Sequence, residues 1–192
     1  LIFIPFLNPF TKFLEKFFKD TDASAAAFIG YANVSEPETA LDLFKRETEY
    51  FIHNSLLFNL EQFKIDTRLI EEHPVFKAIN ERKKIFSKVQ EEKYVFLKQL
   101  QGELQSFYLE LRDKLQNEDS SHLNQLISAV RSSMHAVKSF KDIENNISNL
   151  ERSSKDIKFD FYMHQKNQTE YLYRQLSDLI TLGKKVSVEE LK

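Results

Sequence analysis

Hydrophobic residues recur at every third or fourth position along most of the chain, which is the spacing of the buried face of an amphipathic helix. This spacing predicts a first helix over residues 35–66 and a second over 75–115. A third begins at the polar turn 117–121 and ends near 153–154, and a fourth covers 156–182. We therefore expect an all-α fold, an antiparallel bundle of long helices with short connections.

The ends of the predicted helices carry residues that commonly start or stop a helix. Ser35 stands at the N-cap position, Pro37 falls in the first turn, and Glu38 occupies the capping-box position. Pro74 separates the first two helices, and Gly183 ends the fourth. These residues set the predicted boundaries.

The second predicted helix contains a hydrophobic stripe whose steps of three or four residues come close to a heptad repeat. The stripe consists of Leu97, Leu100, Leu104, Phe107, Leu111 and Leu115. Gly102 lies within this pattern and costs the helix about 1 kcal/mol relative to Ala. A glycine there either allows close contact with a neighbouring helix or has no role.

The third predicted helix has two stripes between residues 128 and 150. The polar stripe consists of Arg131, His135, Lys138, Asp142, Asn145 and Asn149. The apolar stripe consists of Val130, Met134, Val137, Phe140, Ile143, Ile147 and Leu150. Because the apolar stripe winds around the helix, it predicts contact with more than one neighbouring helix. The polar stripe is either a solvated face or a binding surface.

The N-terminal residues differ in composition from the rest of the chain. Residues 1–19 open with apolar residues and proline and then carry Lys12, Lys16 and Lys19. The apolar run is shorter than the ~20 residues that span a bilayer. It predicts either the end of a transmembrane segment, with the lysines on the cytoplasmic side, or an amphipathic juxtamembrane helix. Because the sequence starts at Leu1, we expect it to continue upstream.

The rest of the chain divides into a linker and one domain. Residues 20–34 are small, polar and aperiodic, which predicts a linker, and residues 35–192 form the predicted bundle. Only 3 Gly and 4 Pro argue against a β-rich fold. A net charge of −2 lacks the basic excess of a nucleic-acid-binding protein, so we expect no nucleic acid as a partner. The absence of Cys excludes disulfides and thiolate metal sites.

Sequence motifs for catalysis are absent. No His follows a Glu by three residues, and the scattered glycines form no phosphate-binding loop. Two Glu–His pairs lie one helical turn apart, at 49 and 53 and at 118 and 122, but each supplies too few ligands for a metal site. We expect no enzymatic activity and no cofactor.

The end of the polar stripe resembles the signature helix of the PhoU family. The segment FKDIENNISNL at 140–150 keeps the hydrophobic frame and the later asparagine of the PhoU pattern. The family binds metal through an acid that is followed four residues later by Asp. Those positions hold Lys141 and Asn145 here. Because an ammonium group repels a cation and an amide is a weak ligand, the resemblance implies no metal site in this helix.

The order of several segments is similar to the end of bacterial sodium/phosphate cotransporters. These segments are PFLNPFTKFLEKFF, SEPETALDLFKRETEYF, LQGELQSFYLELRDKL and the helix at 128–150. In that family a cytoplasmic PhoU-like domain follows the membrane domain. The resemblance implies a regulatory or assembly domain on the cytoplasmic side of the plasma membrane. It implies the protein's own transporter domain as a partner, with inorganic phosphate or a second copy as further candidates.

The candidate binding residues are basic side chains on or beside the polar stripe. They are Arg131, His135, Lys138 and Lys141. Hydrogen-bond donors on one rigid face suit a phosphate group, although the nearby Asp142 and Glu144 would weaken such a site. Two other functions fit the sequence. One is a stand-alone PhoU-like regulator of phosphate uptake or signalling, and the other is a membrane-tethered helical module that dimerises through the stripe at 97–115.

Overall fold

The structure is a computed structural model that describes residues 24–67 and 90–181. Within these residues a short 3-10 turn at Ile29–Tyr31 precedes four α-helices. The helices are α1, Pro37–Gln62; α2, Gln90–Arg112; α3, Asn117–Glu151; and α4, Asp156–Thr181. The prediction of an all-α bundle of long helices is confirmed. The expectations for residues 1–19, for Pro74 and the chain up to residue 89, and for Gly183 lie outside the described residues.

Neighbouring helices run antiparallel. Glu61, near the end of α1, accepts a hydrogen bond of 2.6 Å from Lys93, near the start of α2. Only residues 113–116 connect α2 to α3, and only residues 152–155 connect α3 to α4, so the chain reverses direction each time. The first three helices contact one another, whereas α4 lies mainly on α3 with a smaller contact to α1.

The core lies between α1, α2 and α3. From α1 it takes Phe44, Phe51 and Phe58, all of them fully buried. The leucines of the near-heptad stripe at 97–115 face the same core, where Phe107 stacks on Phe44 with ring centroids 6.1 Å apart. The stripe is therefore an internal packing surface. Gly102 is exposed, and a Cβ added there would meet nothing within 4 Å, so this glycine does not serve a close helix contact.

Both ends of α1 differ from the prediction. The N-cap is Glu36 instead of Ser35, and no side chain caps the helix. The Ser35 N–H donates to Asn33 Oδ1 in a local turn before the helix. The helix ends four residues before the predicted Asp66. Lys64 adopts a φ of 51°, and the N–H groups of Lys64 and Ile65 turn back to the carbonyls of Glu61 and Leu60. This closure is a Schellman motif, with a lysine where glycine is the usual residue.

The predicted linker is also different, since its described part packs on the bundle. Residues 24–31, named the strap here, lie against α1 and α2, and Ala25, Phe28 and Ile29 are buried. In α3 the apolar stripe is mostly buried or half-buried, but Ile143 is 42% exposed. The expectation that this stripe contacts more than one neighbouring helix is confirmed, since α3 contacts α1, α2 and α4.

Candidate functional site

The predicted basic patch lies along a groove between α2 and α3. The groove has a volume of about 260 Å³. Its lining consists of Tyr94, Lys98 and Gln101 from α2 and Arg131, Met134, His135 and Lys138 from α3. In α3 the buried Met134 and Val137 face the core, so the positions beside them fall at the edge of the helix interface. The sequence thus places several basic side chains along one rim.

Arg131 is held at one end of the groove. Its Nε and Nη2 atoms donate to Gln105 Oε1 of α2 at 3.3 and 3.1 Å. Its guanidinium carbon also lies 5.9 Å from the centroid of the Tyr108 ring, which gives a cation–π contact. Tyr108 donates its hydroxyl proton to Asn124 Oδ1 at 2.8 Å and is fixed in turn. The guanidinium is therefore oriented before any ligand arrives.

Lys141 lies apart from the groove. Its ammonium group is 2.7 Å from Glu91 of α2 and 2.7 Å from Glu144 of its own helix. The hydrogen bonds to Glu144 and then to Glu91 raise the pKa of Lys141, so its charge is firmly present but already compensated. The structure brings Arg131, His135 and Lys138 together and leaves Lys141 in a separate ion-pair cluster.

Lys98 is a groove residue that the sequence did not reveal. It belongs to α2, on the exposed side away from the buried Leu97 and Leu100. Nothing in its local sequence distinguishes it from other surface lysines. Lys98 and Lys138 line the same groove only because α2 packs against α3. The spacing of residues within one helix does not predict which helices pack together.

The groove is positively charged along its length. Its lining contains three permanently basic side chains and a histidine, and no carboxylate is among them. Within residues 24–67 and 90–181, neither Lys98 nor Lys138 takes part in an ion pair. A concave surface lined by one sign of charge concentrates counter-ions. The groove is therefore suited to a small anion.

Lys141 and Asn145, at the two positions compared above with the metal ligands of the PhoU pattern, have different surroundings. Lys141 is paired with Glu91 and Glu144, and Asn145 is exposed to solvent. In the described part of the chain, no three His, Asp or Glu side chains form a group that could hold a metal ion.

A second polar arrangement, also missed by the sequence, holds the strap with two carboxylates. Glu47 of α1 is fully buried and accepts hydrogen bonds from the backbone N–H groups of Ala27, Phe28 and Ile29, at distances from 2.6 to 3.1 Å. Burial, and next the charge of Glu47, raise the pKa of Tyr50 to about 12. A glutamate in an amphipathic helix usually faces solvent, so its sequence position gave no sign of this role.

Glu103 of α2 holds the beginning of the strap. It accepts hydrogen bonds from Ser24 Oγ at 2.8 Å, from the Ala25 N–H at 2.9 Å and from the Ala26 N–H at 2.8 Å. Burial acts to raise the pKa of Glu103, but these bonds and one from Gln99 together outweigh it, so the pKa is lowered. The strap is thus fixed to two helices through its backbone N–H groups, in addition to the burial of Ala25, Phe28 and Ile29.

In the described residues no helix combines the length and the apolar character needed to cross a bilayer. Comparisons of the chain with protein-family models, with curated proteins and with solved structures find no match.

Proposed function

We propose that this bundle is a cytoplasmic regulatory or assembly domain of a sodium-dependent phosphate transporter and that the groove between α2 and α3 binds inorganic phosphate. The domain acts by binding and carries out no catalysis. Its partner is the membrane domain of its own protein, at the cytoplasmic side of the plasma membrane.

The observation that carries the proposal is the convergence of Lys98 with Arg131, His135 and Lys138 around one groove. Phosphate is a compact anion that accepts several hydrogen bonds, and guanidinium and ammonium groups are its usual ligands in proteins. Because the cations come from two helices, a bound phosphate would hold α2 and α3 together. Phosphate concentration could in this way control how rigid the bundle is.

The position of the strap supports a role in coupling the bundle to the membrane domain. It follows the N-terminal residues, whose sequence resembles the junction with a membrane domain, and its backbone is fixed to α1 and α2 by Glu47 and Glu103. A displacement of α2 would therefore be transmitted to the chain before Ser24. The alternative of a stalk that dimerises through the stripe at 97–115 gains no support, because that stripe fills the core.

Calorimetric titration of inorganic phosphate tests the proposal. Lys98→Gln and Lys138→Gln should each weaken binding by about tenfold, since each removes one charged donor. Lys141→Gln is the matched control, because Lys141 is already neutralised by Glu91 and Glu144, and it should bind phosphate as the unaltered protein does.

Two results would overturn this assignment. One is the absence of binding heat for the unaltered protein up to millimolar phosphate. The other is a loss of affinity in Lys141→Gln as large as that in Lys98→Gln, which would mean that general surface charge, rather than the groove, attracts the anion.

A further inference from the structure

Most of the large hydrophobic side chains that are exposed in the described residues lie on α4. They are Ile157, Phe159, Phe161, Met163, Tyr171 and Leu172. Ile157 is 85% exposed and Tyr171 is 65% exposed. The helix contacts the bundle through another face, which carries the buried Tyr162 and Tyr173. Its outward face carries Ile157, Phe161 and Tyr171 and is uncovered in the described part of the chain, and grouped exposed apolar side chains usually mark an interaction surface.

The outward face has the spacing of a helix–helix seam. Steps of four and three residues connect its positions, as in a heptad repeat. The outward seam consists of Ile157, Phe161, His164, Gln168, Tyr171 and Gln175, all exposed. Its aromatic residues lie on either side of a polar centre at His164 and Gln168. A polar pair inside an apolar seam fixes the register of two helices.

We propose that α4 binds the α4 helix of a second copy of this chain, antiparallel, through the outward seam. A two-fold axis beside residue 166 places Phe161 against the second copy's Tyr171 and His164 against the second copy's Gln168. The same axis places Ile157 against the second copy's Gln175, and every pair occurs twice, as two-fold symmetry requires. Each polar side chain of the centre meets another, and each aromatic residue meets an aromatic residue.

Charges beside the seam agree with this register. Asp160 and Arg174 both flank the seam, at similar distances before and after the axis beside residue 166. The two-fold axis therefore places Asp160 next to the second copy's Arg174. Among the side chains that the structure describes, Asp160 forms no ion pair, and Arg174 bonds Glu170 of its own helix. The two-fold axis produces the Asp160–Arg174 pair twice. This charge complementarity favours a second copy over an unrelated partner.

Sedimentation velocity over a range of protein concentrations tests the proposal. The unaltered chain should dimerise, with a dissociation constant on the order of micromolar because one helix pair is a small interface. Asp160→Arg and Arg174→Asp should each weaken the dimer by about tenfold, since each places like charges together. The double variant should recover the original affinity, because the pair is restored with its signs exchanged.

The chain has no cysteine, so an engineered one gives a second readout. Asn167→Cys lies next to the proposed axis and should form a disulfide between two copies under mild oxidation. Lys158→Cys is the control, because its two copies would lie roughly 24 Å apart along the helices, too far for a disulfide. Circular dichroism should show unchanged helix content in every variant, since all the altered residues are exposed.

Several outcomes would overturn the proposal. A monomer at all concentrations would mean that another part of the chain, or a membrane, covers the seam. A dimer that survives both single charge reversals, or a double variant without recovery, would exclude this register. Equal cross-linking of Asn167→Cys and Lys158→Cys would exclude an ordered antiparallel pair.

Discussion

Helices α1 and α4 have the same length of 26 residues but very different surroundings. In α1 most residues are buried, including polar ones such as Thr48, Asn54 and Asn59. In the described part of α4, only Tyr162 and Tyr173 are buried. Helix α1 is enclosed by α2, α3 and the strap, whereas α4 touches the bundle along one narrow face. Burial therefore holds α1 in place along most of its length, although its first turns also carry exposed residues such as Asp42 and Arg46.

Helix α4 is attached through a few polar contacts and one aromatic stack. Tyr162 donates to the Phe63 carbonyl at 3.2 Å, and Lys166 donates to the Lys64 carbonyl at 3.2 Å. Tyr173 accepts a hydrogen bond from Asn59 Nδ2 at 2.8 Å. The difference from α1 shows how one chain can combine a stable core helix with a peripheral helix whose outer face remains available to a partner.

The largest expected effect is a core truncation in α1. Phe44→Ala should lower the free energy of unfolding by about 3–5 kcal/mol, because Phe44 is fully buried and stacks on Phe107. Phe161→Ala in α4 should change it by less than about 0.5 kcal/mol at protein concentrations where the chain is monomeric. Urea denaturation measures both values. Similar losses for the two variants would contradict the contrast between the helices.

The next effect concerns the buried carboxylate of α1. Glu47→Gln should cost about 2–3 kcal/mol, because an amide replaces the acceptor of three backbone N–H groups and turns a donor towards them. The partly exposed Glu49→Gln is the control and should be nearly neutral. Hydrogen exchange should accelerate at residues 27–29 in the first variant alone. Unchanged exchange there would mean that apolar burial holds the strap.

A smaller effect is expected where α4 meets α1. Tyr173→Phe should cost about 1–2 kcal/mol, because it removes the partner of the buried Asn59 amide. Tyr171→Phe removes the same hydroxyl from an exposed position of the same helix and should leave the unfolding free energy unchanged. If both variants behave alike in thermal unfolding, the Asn59 contact does not attach α4.

The smallest effect depends on pH and concerns the strap side of the bundle. The pKa of Glu103 is lowered on folding, so its contribution to stability is present above the ordinary glutamate pKa of 4.5. It is lost as the pH falls through the lower pKa of the folded state. The difference in unfolding free energy between the unaltered chain and Glu103→Gln should therefore shrink between pH 6 and about pH 3. A constant difference would exclude an ionised Glu103 as the acceptor.

Periodicity was enough to predict the helices in the described residues, because the buried face of each helix repeats hydrophobic residues at every third or fourth position. The predicted limits of the third and fourth helices lie within a few residues of Asn117–Glu151 and Asp156–Thr181. The end of α1 was misplaced because Lys64 adopts a left-handed conformation. Lysine rarely adopts it, so the sequence does not predict a helix end there.

Parts of the site depended on contacts between distant segments. Spacing along one helix groups Arg131, His135 and Lys138, which line the groove, whereas Lys98 joins them only through the pairing of two helices. Lys141 lies outside the groove because its partner Glu91 is on the other helix. The sequence gives no sign that Glu47 is buried, since its three N–H donors come from a stretch without regular periodicity. Local patterns cannot report such contacts.

The burial of Tyr50 gives the protein an optical signal of its own. The chain has 7 Tyr and no Trp, so its near-ultraviolet absorbance and intrinsic fluorescence come chiefly from tyrosine. With a pKa of about 12, Tyr50 keeps its proton at alkaline pH values where exposed phenols, with a pKa near 10, have already lost theirs. Its ring also meets Phe96 of α2 edge to face, 6.2 Å between centroids. The late ionisation of Tyr50 in a spectrophotometric titration thus reports on its burial in the core and on the nearby charge of Glu47.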